Sequence, residues 1–122
     1  MARILVVDDE SPIRDMFRRI LEPEGHEVVE ASNGNEALQA LQETSFDLVI
    51  TDINMPFKDG IETIIDLRRN YPEIKIIAIS GGGAAGIENH LEIAQRIGAH
   101  EVFRKPLKLK NIADAISKLL DQ

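Results

Sequence analysis

The chain has no cysteine among its 122 residues. This absence excludes disulfide scaffolds, thiolate zinc sites and thiol nucleophiles together. No apolar run approaches the ~20 residues that a membrane-spanning helix needs, and the N-terminal residues do not have the signal-peptide order of charged, apolar and small residues. We therefore expect a cytoplasmic protein without membrane association.

Basic side chains are also in the minority. The chain has 14 lysine and arginine residues against 21 acidic residues, which gives a formal net charge of −7. This charge argues against nucleic acid or an anionic membrane as the main partner, so we expect no direct DNA binding. With 43% hydrophobic and 29% charged residues the composition is globular, and the length suits a single domain over residues 1–122.

Five short runs rich in isoleucine and valine alternate with longer segments of helical periodicity, which is typical of successive βαβ units. The predicted strands are residues 3–7, 27–31, 47–51, 74–79 and 101–104. The first, third and fourth runs are almost continuously apolar, as in strands covered by helices on both faces. The second and fifth are more polar or shorter, which suits edge strands. The pattern predicts an α/β doubly wound parallel sheet with strand order 2-1-3-4-5.

Five helices are predicted from apolar residues at helical spacing. We expect Ser11 to be the N-cap of the first helix, with Pro12 at the first helical position. The apolar positions expected in the core are Ile13, Met16, Phe17, Ile20, Leu21, Ala37, Leu38, Leu41, Ile61, Ile64, Ile65, Ile87, Leu91, Ala94, Ile97, Ile112, Ala113, Ile116, Leu119 and Leu120. The three histidines, His26, His90 and His100, have no metal-ligand spacing and are expected on the surface.

Polar side chains follow the predicted strands at the edge where an open parallel sheet binds ligands. They are Asp8, Asp9, Glu10, Asp52, Ser80 and Lys105. Carboxylates brought together in this way repel one another and need a cation, and oxygen ligands without histidine or cysteine suit Mg²⁺ or Mn²⁺. An isolated Asp-Asp pair would equally fit the acidic preference of a helix N-terminus, but the predicted proximity of Asp52 favours a metal site.

A carboxylate beside a divalent cation, a hydroxyl group and an ammonium group is suited to receive a phosphoryl group. Asp52 would be the nucleophile, and Ser80 and Lys105 would hold the oxygens of the product. Adding this charge would bias a two-state element, so the chemistry is that of a switch and not of an enzyme that turns over a separate substrate.

The order of these motifs along the chain carries a family resemblance. The matching segments are Val6–Glu10, Asp52–Pro56 with Asp59-Gly60, Ile79–Gly81, Gly98-Ala99 and Lys105-Pro106. Together they resemble the CheY-like receiver domain of two-component response regulators. The resemblance implies a flavodoxin-like (βα)5 fold. Because the sequence stops one helix after Lys105, we expect one receiver domain with no output domain, either a stand-alone protein or a piece excised from a larger regulator.

The resemblance also implies roles for the site residues. Asp52 would be the phosphoacceptor. Asp9 and Asp52 would ligate Mg²⁺ directly, together with the backbone carbonyl of Asn54, and Asp8 would act largely through water.

The remaining motif residues would surround the phosphoryl group. Ser80 and Lys105 would contact it, and Gly81 would support the site beside Ser80. The peptide bond between Lys105 and Pro106 would be cis.

Two features depart from the family pattern. Receivers commonly place an aromatic switch residue three positions before the lysine, and here that residue is Val102. Phe103 follows it, but strand alternation points its side chain to the opposite face, into the core. Residues 81–86 contain a G-x-G-x-x-G pattern, which is misplaced for dinucleotide binding because only one strand follows, so we interpret it as a mobile loop.

By resemblance, the expected partners are a sensor histidine kinase or phosphotransfer protein and a protein target that binds the face formed by the fourth helix, fifth strand and fifth helix. The chain would be a monomer or a phosphorylation-dependent dimer. Basic residues concentrated near this face, Lys108 and Lys110 among them, favour an acidic target patch. Two alternatives remain open: an aspartate-nucleophile phosphatase, and a binding module whose site is never phosphorylated.

Overall fold

The computed structural model describes residues 2–53, 60–80 and 87–121, with residues 87–91 described by their backbone only. Its strands are β1 (Arg3–Val7), β2 (Glu27–Ala31), β3 (Leu48–Asp52), β4 (Lys75–Ser80) and β5 (Glu101–Arg104). Its helices are α1 (Ser11–Leu21), α2 (Gly34–Glu43), α3 (Gly60–Asn70), α4 (Ile87–Ile97) and α5 (Leu109–Leu120), with a short 3-10 helix at Glu22–Glu24.

The five strands form one parallel sheet in the order β2-β1-β3-β4-β5, which confirms the predicted topology. β3 and β4 each begin and end one residue later than predicted. Asp52 and Ser80 are therefore the last residues of their strands and not the first residues of loops. Strand pairing thus fixes the backbone of both.

The sheet separates two cores because successive side chains of a strand point to opposite faces. Leu5 and Val7 of β1 pack with buried residues of α2, α3 and α4. Ile4 and Val6 of the same strand pack with Phe17 and with the buried face of α5. Helices thus cover both faces, as the continuous apolar strands predicted.

Three local predictions were wrong. α1 begins at Ser11 with Glu10 as its N-cap, and this cap makes no side-chain hydrogen bond. Ile65 is 40% exposed and Ala113 is exposed, because the buried stripes of α3 and α5 contain their neighbours Ile64 and Ala115.

In the part of the chain that the structure describes, no helix is long and apolar enough to cross a membrane.

Candidate functional site

The carboxyl edge of the sheet gathers the polar residues that follow or end four strands. Val7 lies opposite Thr51, so the next residues, Asp8 just after β1 and Asp52 at the end of β3, lie side by side. Ser80 ends β4 opposite Arg104, which precedes Lys105. Asp8, Asp52 and Ser80 are 1%, 3% and 0% exposed, so three polar side chains are buried at one edge.

Four carboxylates converge there. Asp8, Asp9, Glu10 and Asp52 each place one oxygen within 4.8 Å of the others. Asp9 and Glu10 are exposed, whereas Asp8 and Asp52 are buried. The structure therefore brings together the four carboxylates that the sequence placed at this edge, including Glu10, which was not among the predicted metal ligands.

Lys105 places a cation inside this cluster. Its Nζ lies 2.7 Å from Oε2 of Glu10 and 3.2 Å from Oδ2 of both Asp8 and Asp52. Burial acts to lower the pKa of Lys105, but the hydrogen bond to Glu10 and the charges of Asp52 and Asp8 outweigh burial and raise it. The same hydrogen bond lowers the pKa of Glu10. The ammonium group thus remains charged and neutralises part of the acidic cluster.

The two carboxylate oxygens of Asp8 have different surroundings. Its Oδ1 accepts a hydrogen bond from the Glu10 amide at 2.9 Å. Its Oδ2 is buried 3.2 Å from Nζ of Lys105 but has no hydrogen-bond partner of good geometry. Burial raises the pKa of Asp8 from 3.8 to about 6, and the nearby charge of Asp52 adds to the increase. A buried oxygen without a well-aligned donor, among other carboxylates, fits a hard divalent cation such as Mg²⁺.

Ser80 and Lys105 are joined through the backbone. The Lys105 amide donates to the Ser80 carbonyl at 2.8 Å, which continues the pairing of β4 and β5 past the end of the strand. The Lys105–Pro106 peptide bond is cis, the isomer that the resemblance implied. Asn54, Gly81 and the glycine-containing segment 81–86 lie outside the described residues.

Val102 and Phe103 pack on opposite faces of the sheet. Val102 contacts the core under α2, α3 and α4, and Phe103 contacts the core under α1 and α5. Strand alternation predicted this arrangement. The position where receivers commonly carry an aromatic switch residue is therefore filled by a partly buried valine.

Two of the histidines are not simple surface residues. Nδ1 of His26 accepts the Ala2 amide at 3.1 Å, and Nδ1 of His100 accepts the Ile76 amide at 3.0 Å. Burial lowers the pKa of His100, and the charges of Arg68 and Lys75 lower it further. Each ring thus accepts a hydrogen bond from a backbone amide at the edge of the sheet opposite the acidic cluster. The side chain of His90 lies outside the described part of the chain.

The family model of the response regulator receiver domain matches residues 4–117. The chain belongs to the response regulator receiver family. The receiver is 38% identical over 120 residues to the chemotaxis protein CheY of Bacillus subtilis (strain 168), covering 98% of each chain. A receiver domain protein from Clostridium thermocellum has a TM-score of 0.89 at 33% identity, covering 99% of this chain and 95% of that one.

Two further matches concern the chemistry and the context of receivers. The structure of TrrA from Thermotoga maritima in complex with Mg²⁺-BeF has a TM-score of 0.84 at 34% identity, covering 98% of this chain and 99% of that one. The chain is also 32% identical to part of the sensor kinase CckA of Brucella abortus (strain 2308), and it spans 13% of that protein's length. Receiver domains act in phosphorylation-based two-component signalling, in which they interact with sensor kinases and bind Mg²⁺ at an acidic pocket.

Proposed function

We propose that this receiver accepts a phosphoryl group on Asp52 from a phosphohistidine of a sensor kinase or phosphotransfer protein. The observation that carries the proposal is the position of Asp52. Its carboxylate is 3% exposed, lies 3.2 Å from the Lys105 ammonium and belongs to a cluster of four carboxylates. A buried anion beside a fixed cation is suited to attack phosphorus and to hold the charge that results.

The transfer is a displacement at phosphorus. A carboxylate oxygen of Asp52 forms the new bond to phosphorus while the bond from phosphorus to the donor imidazole nitrogen breaks, and the imidazole leaves. Lys105 lies close enough to neutralise an oxygen of the incoming phosphoryl group, and Ser80 supplies a hydroxyl group at the neighbouring strand end.

Asp8, Asp9 and Asp52, with the backbone carbonyl of Asn54, would hold Mg²⁺. When bound, the ion would neutralise the phosphoryl oxygens. Oδ2 of Asp8 supports this assignment because it is buried without a hydrogen bond of good geometry, and the one ammonium group near it is shared with Glu10 and Asp52.

We further propose that the signal leaves through α4, β5 and α5 to a protein target. Lys105 connects the site to this face, because its side chain lies in the acidic cluster while its amide is bonded to the Ser80 carbonyl at the end of β4. If Lys105 moves from Glu10 toward a phosphoryl group, the end of β5 moves with it. Val102 lies two residues before Arg104 in β5. It would transmit the change by repacking against the core, since it has no aromatic ring to swing inward.

Intact mass spectrometry tests the phosphoacceptor. The protein is incubated with Mg²⁺ and a small-molecule phosphodonor, beside Asp52→Asn and the matched variant Asp15→Asn, which changes an exposed aspartate on α1. We expect a gain of one phosphoryl group in the wild type and in Asp15→Asn, and none in Asp52→Asn. Equal labelling of all three proteins would refute Asp52 as the acceptor, and steady turnover of a phosphoester would favour the phosphatase alternative.

A further inference from the structure

The side chain of Arg14 folds back from α1 over the turn that carries the acidic residues. Its Nη1 donates to the backbone carbonyl of Asp8 at 2.6 Å, and its Nε donates to Oε1 of Glu30 on β2 at 3.0 Å. The Arg14 amide also donates to the carbonyl of Glu10 at 3.3 Å. The side chain is 18% exposed, so this guanidinium group is packed between α1, β2 and the end of β1.

The carbonyl that Arg14 binds belongs to the peptide joining Asp8 to Asp9. Rotation of this peptide plane would move both carboxylates relative to Asp52. The rest of the turn is held by the Asp8 amide, which donates to Ala31, and by the Glu10 amide, which donates to Asp8 Oδ1. Neither of these two bonds involves the peptide group between Asp8 and Asp9. The hydrogen bond from Arg14 to the Asp8 carbonyl holds that peptide group in place.

Arg18 provides an internal comparison because it shares Glu30 with Arg14. Its Nε lies 2.9 Å from Oε2 of Glu30, and its Nη1 lies 2.7 Å from Oε2 of Glu22. In the described part of the chain, its ion pairs are with these two glutamates, away from the acidic turn. Arg14 and Arg18 thus make similar ion pairs, but Arg14 also holds the turn.

We propose that Arg14 is a positioning residue for the cation site, acting through the Asp8–Asp9 peptide. This inference rests on the proposed function, since it assumes that Asp8 and Asp9 serve a bound Mg²⁺. Groups that orient metal ligands typically account for ~10–100-fold in metal affinity. Glu30 contributes by fixing the guanidinium group in the orientation that reaches the carbonyl.

The test measures Mg²⁺ affinity by isothermal titration calorimetry, and stability by urea unfolding in EDTA, for the wild type, Arg14→Met and Arg18→Met. Methionine keeps much of the apolar stem and removes the donors. We expect Arg14→Met to weaken Mg²⁺ binding at least about tenfold. Arg18→Met should change it less than about twofold, because the loss of a partly exposed ion pair has only a small effect.

A structural role alone would move stability and not this difference in affinity. Wild-type affinity in Arg14→Met, or an equal loss in the two variants, would overturn the positioning role while leaving the proposed function intact. A wild-type protein that binds no Mg²⁺ would overturn both. If Arg14→Met does not fold, the same two measurements are made on Arg14→Gln. Glutamine is polar but too short to reach the Asp8 carbonyl, so the same loss of Mg²⁺ affinity is expected.

Discussion

Replacing Asp8 with asparagine should stabilise the metal-free protein. The wild-type carboxylate is 1% exposed, and its Oδ2 lies 3.2 Å from the Lys105 ammonium without a hydrogen bond of good geometry. Asparagine has nearly the same shape, can keep the acceptor that Oδ1 offers to the Glu10 amide, and carries no charge to bury. It also gives up the 3.2 Å ion pair with Lys105, but the pKa of Asp8 is raised despite that pair, so the net effect of the charge is unfavourable. The substitution therefore removes a desolvation penalty without opening a cavity.

The magnitude follows from the pKa of Asp8. Burial raises this pKa from 3.8 to about 6. A carboxyl group whose pKa is higher in the folded state binds its proton more tightly there, so the folded state loses stability as the pH rises between the two values. Above pH 6 the penalty is complete and amounts to about 3 kcal/mol. Below pH 3.8 the group is neutral in both states, and the penalty disappears.

The assay is urea unfolding in EDTA at pH 4 and at pH 7.5, for the wild type, Asp8→Asn and the exposed control Asp15→Asn. We expect Asp8→Asn to gain about 3 kcal/mol over the wild type at pH 7.5 and little at pH 4. The control should follow the wild type at both values. A loss of stability in Asp8→Asn at pH 7.5, or a gain of the same size at pH 4, would refute the reasoning that burial of this charge destabilises the metal-free protein.

Three further changes test other parts of the site and fold. Gly60→Ala should lower the free energy of unfolding in urea by about 1–3 kcal/mol, because the added Cβ would collide with the Asp52 carbonyl. An unchanged urea midpoint would contradict this. Lys105→Met should raise Mg²⁺ affinity in calorimetry at least about tenfold, since a competing charge is removed from the carboxylates; equal or weaker binding would speak against it. His100→Asn keeps an acceptor for the Ile76 amide, and the stability of this variant should depend less on pH below about 6.5 than that of the wild type. In the wild type the pKa of His100 is lowered by folding, so acid protonates the unfolded chain more readily and destabilises the fold. Parallel curves of stability against pH for the two proteins would contradict this.

The strand order and the acidic edge could be predicted because both depend on local patterns. Continuous apolar runs mark β1, β3 and β4 as central, and the residues that end parallel strands meet at one edge of the sheet. Asp8, Asp52 and Ser80 are buried at this edge as a direct consequence. The sequence could not predict the exact ends of β3 and β4, which differ by one residue from the expectation, because pairing with neighbouring strands decides where a strand ends.

The partner of Lys105 and the cap of α1 could not be predicted, for one physical reason. Glu10 and Lys105 are 95 residues apart, so no local pattern relates them. Once the fold brings them together, the Glu10 carboxylate binds the ammonium at 2.7 Å and is not used to cap α1. The only available signal was the position of Glu10 next to the two aspartates, and charge repulsion in the resulting cluster makes a cation partner favourable.

The acidic cluster is better suited to bind a divalent cation than to stabilise the metal-free fold. Among the described residues, the cluster contains four carboxylates and one ammonium group, which pairs with three of them, so Asp8, Asp9, Glu10, Asp52 and Lys105 together carry an excess of negative charge. That excess destabilises the folded chain when no cation is bound, and for the same reason it supplies free energy to binding when a divalent cation arrives. The Lys105 side chain contacts this charge, and its amide is bonded to the end of β4. Under the proposed function, a change in the charge of the site would therefore also act on the end of β5. A site optimised for the stability of the metal-free fold would lack both properties.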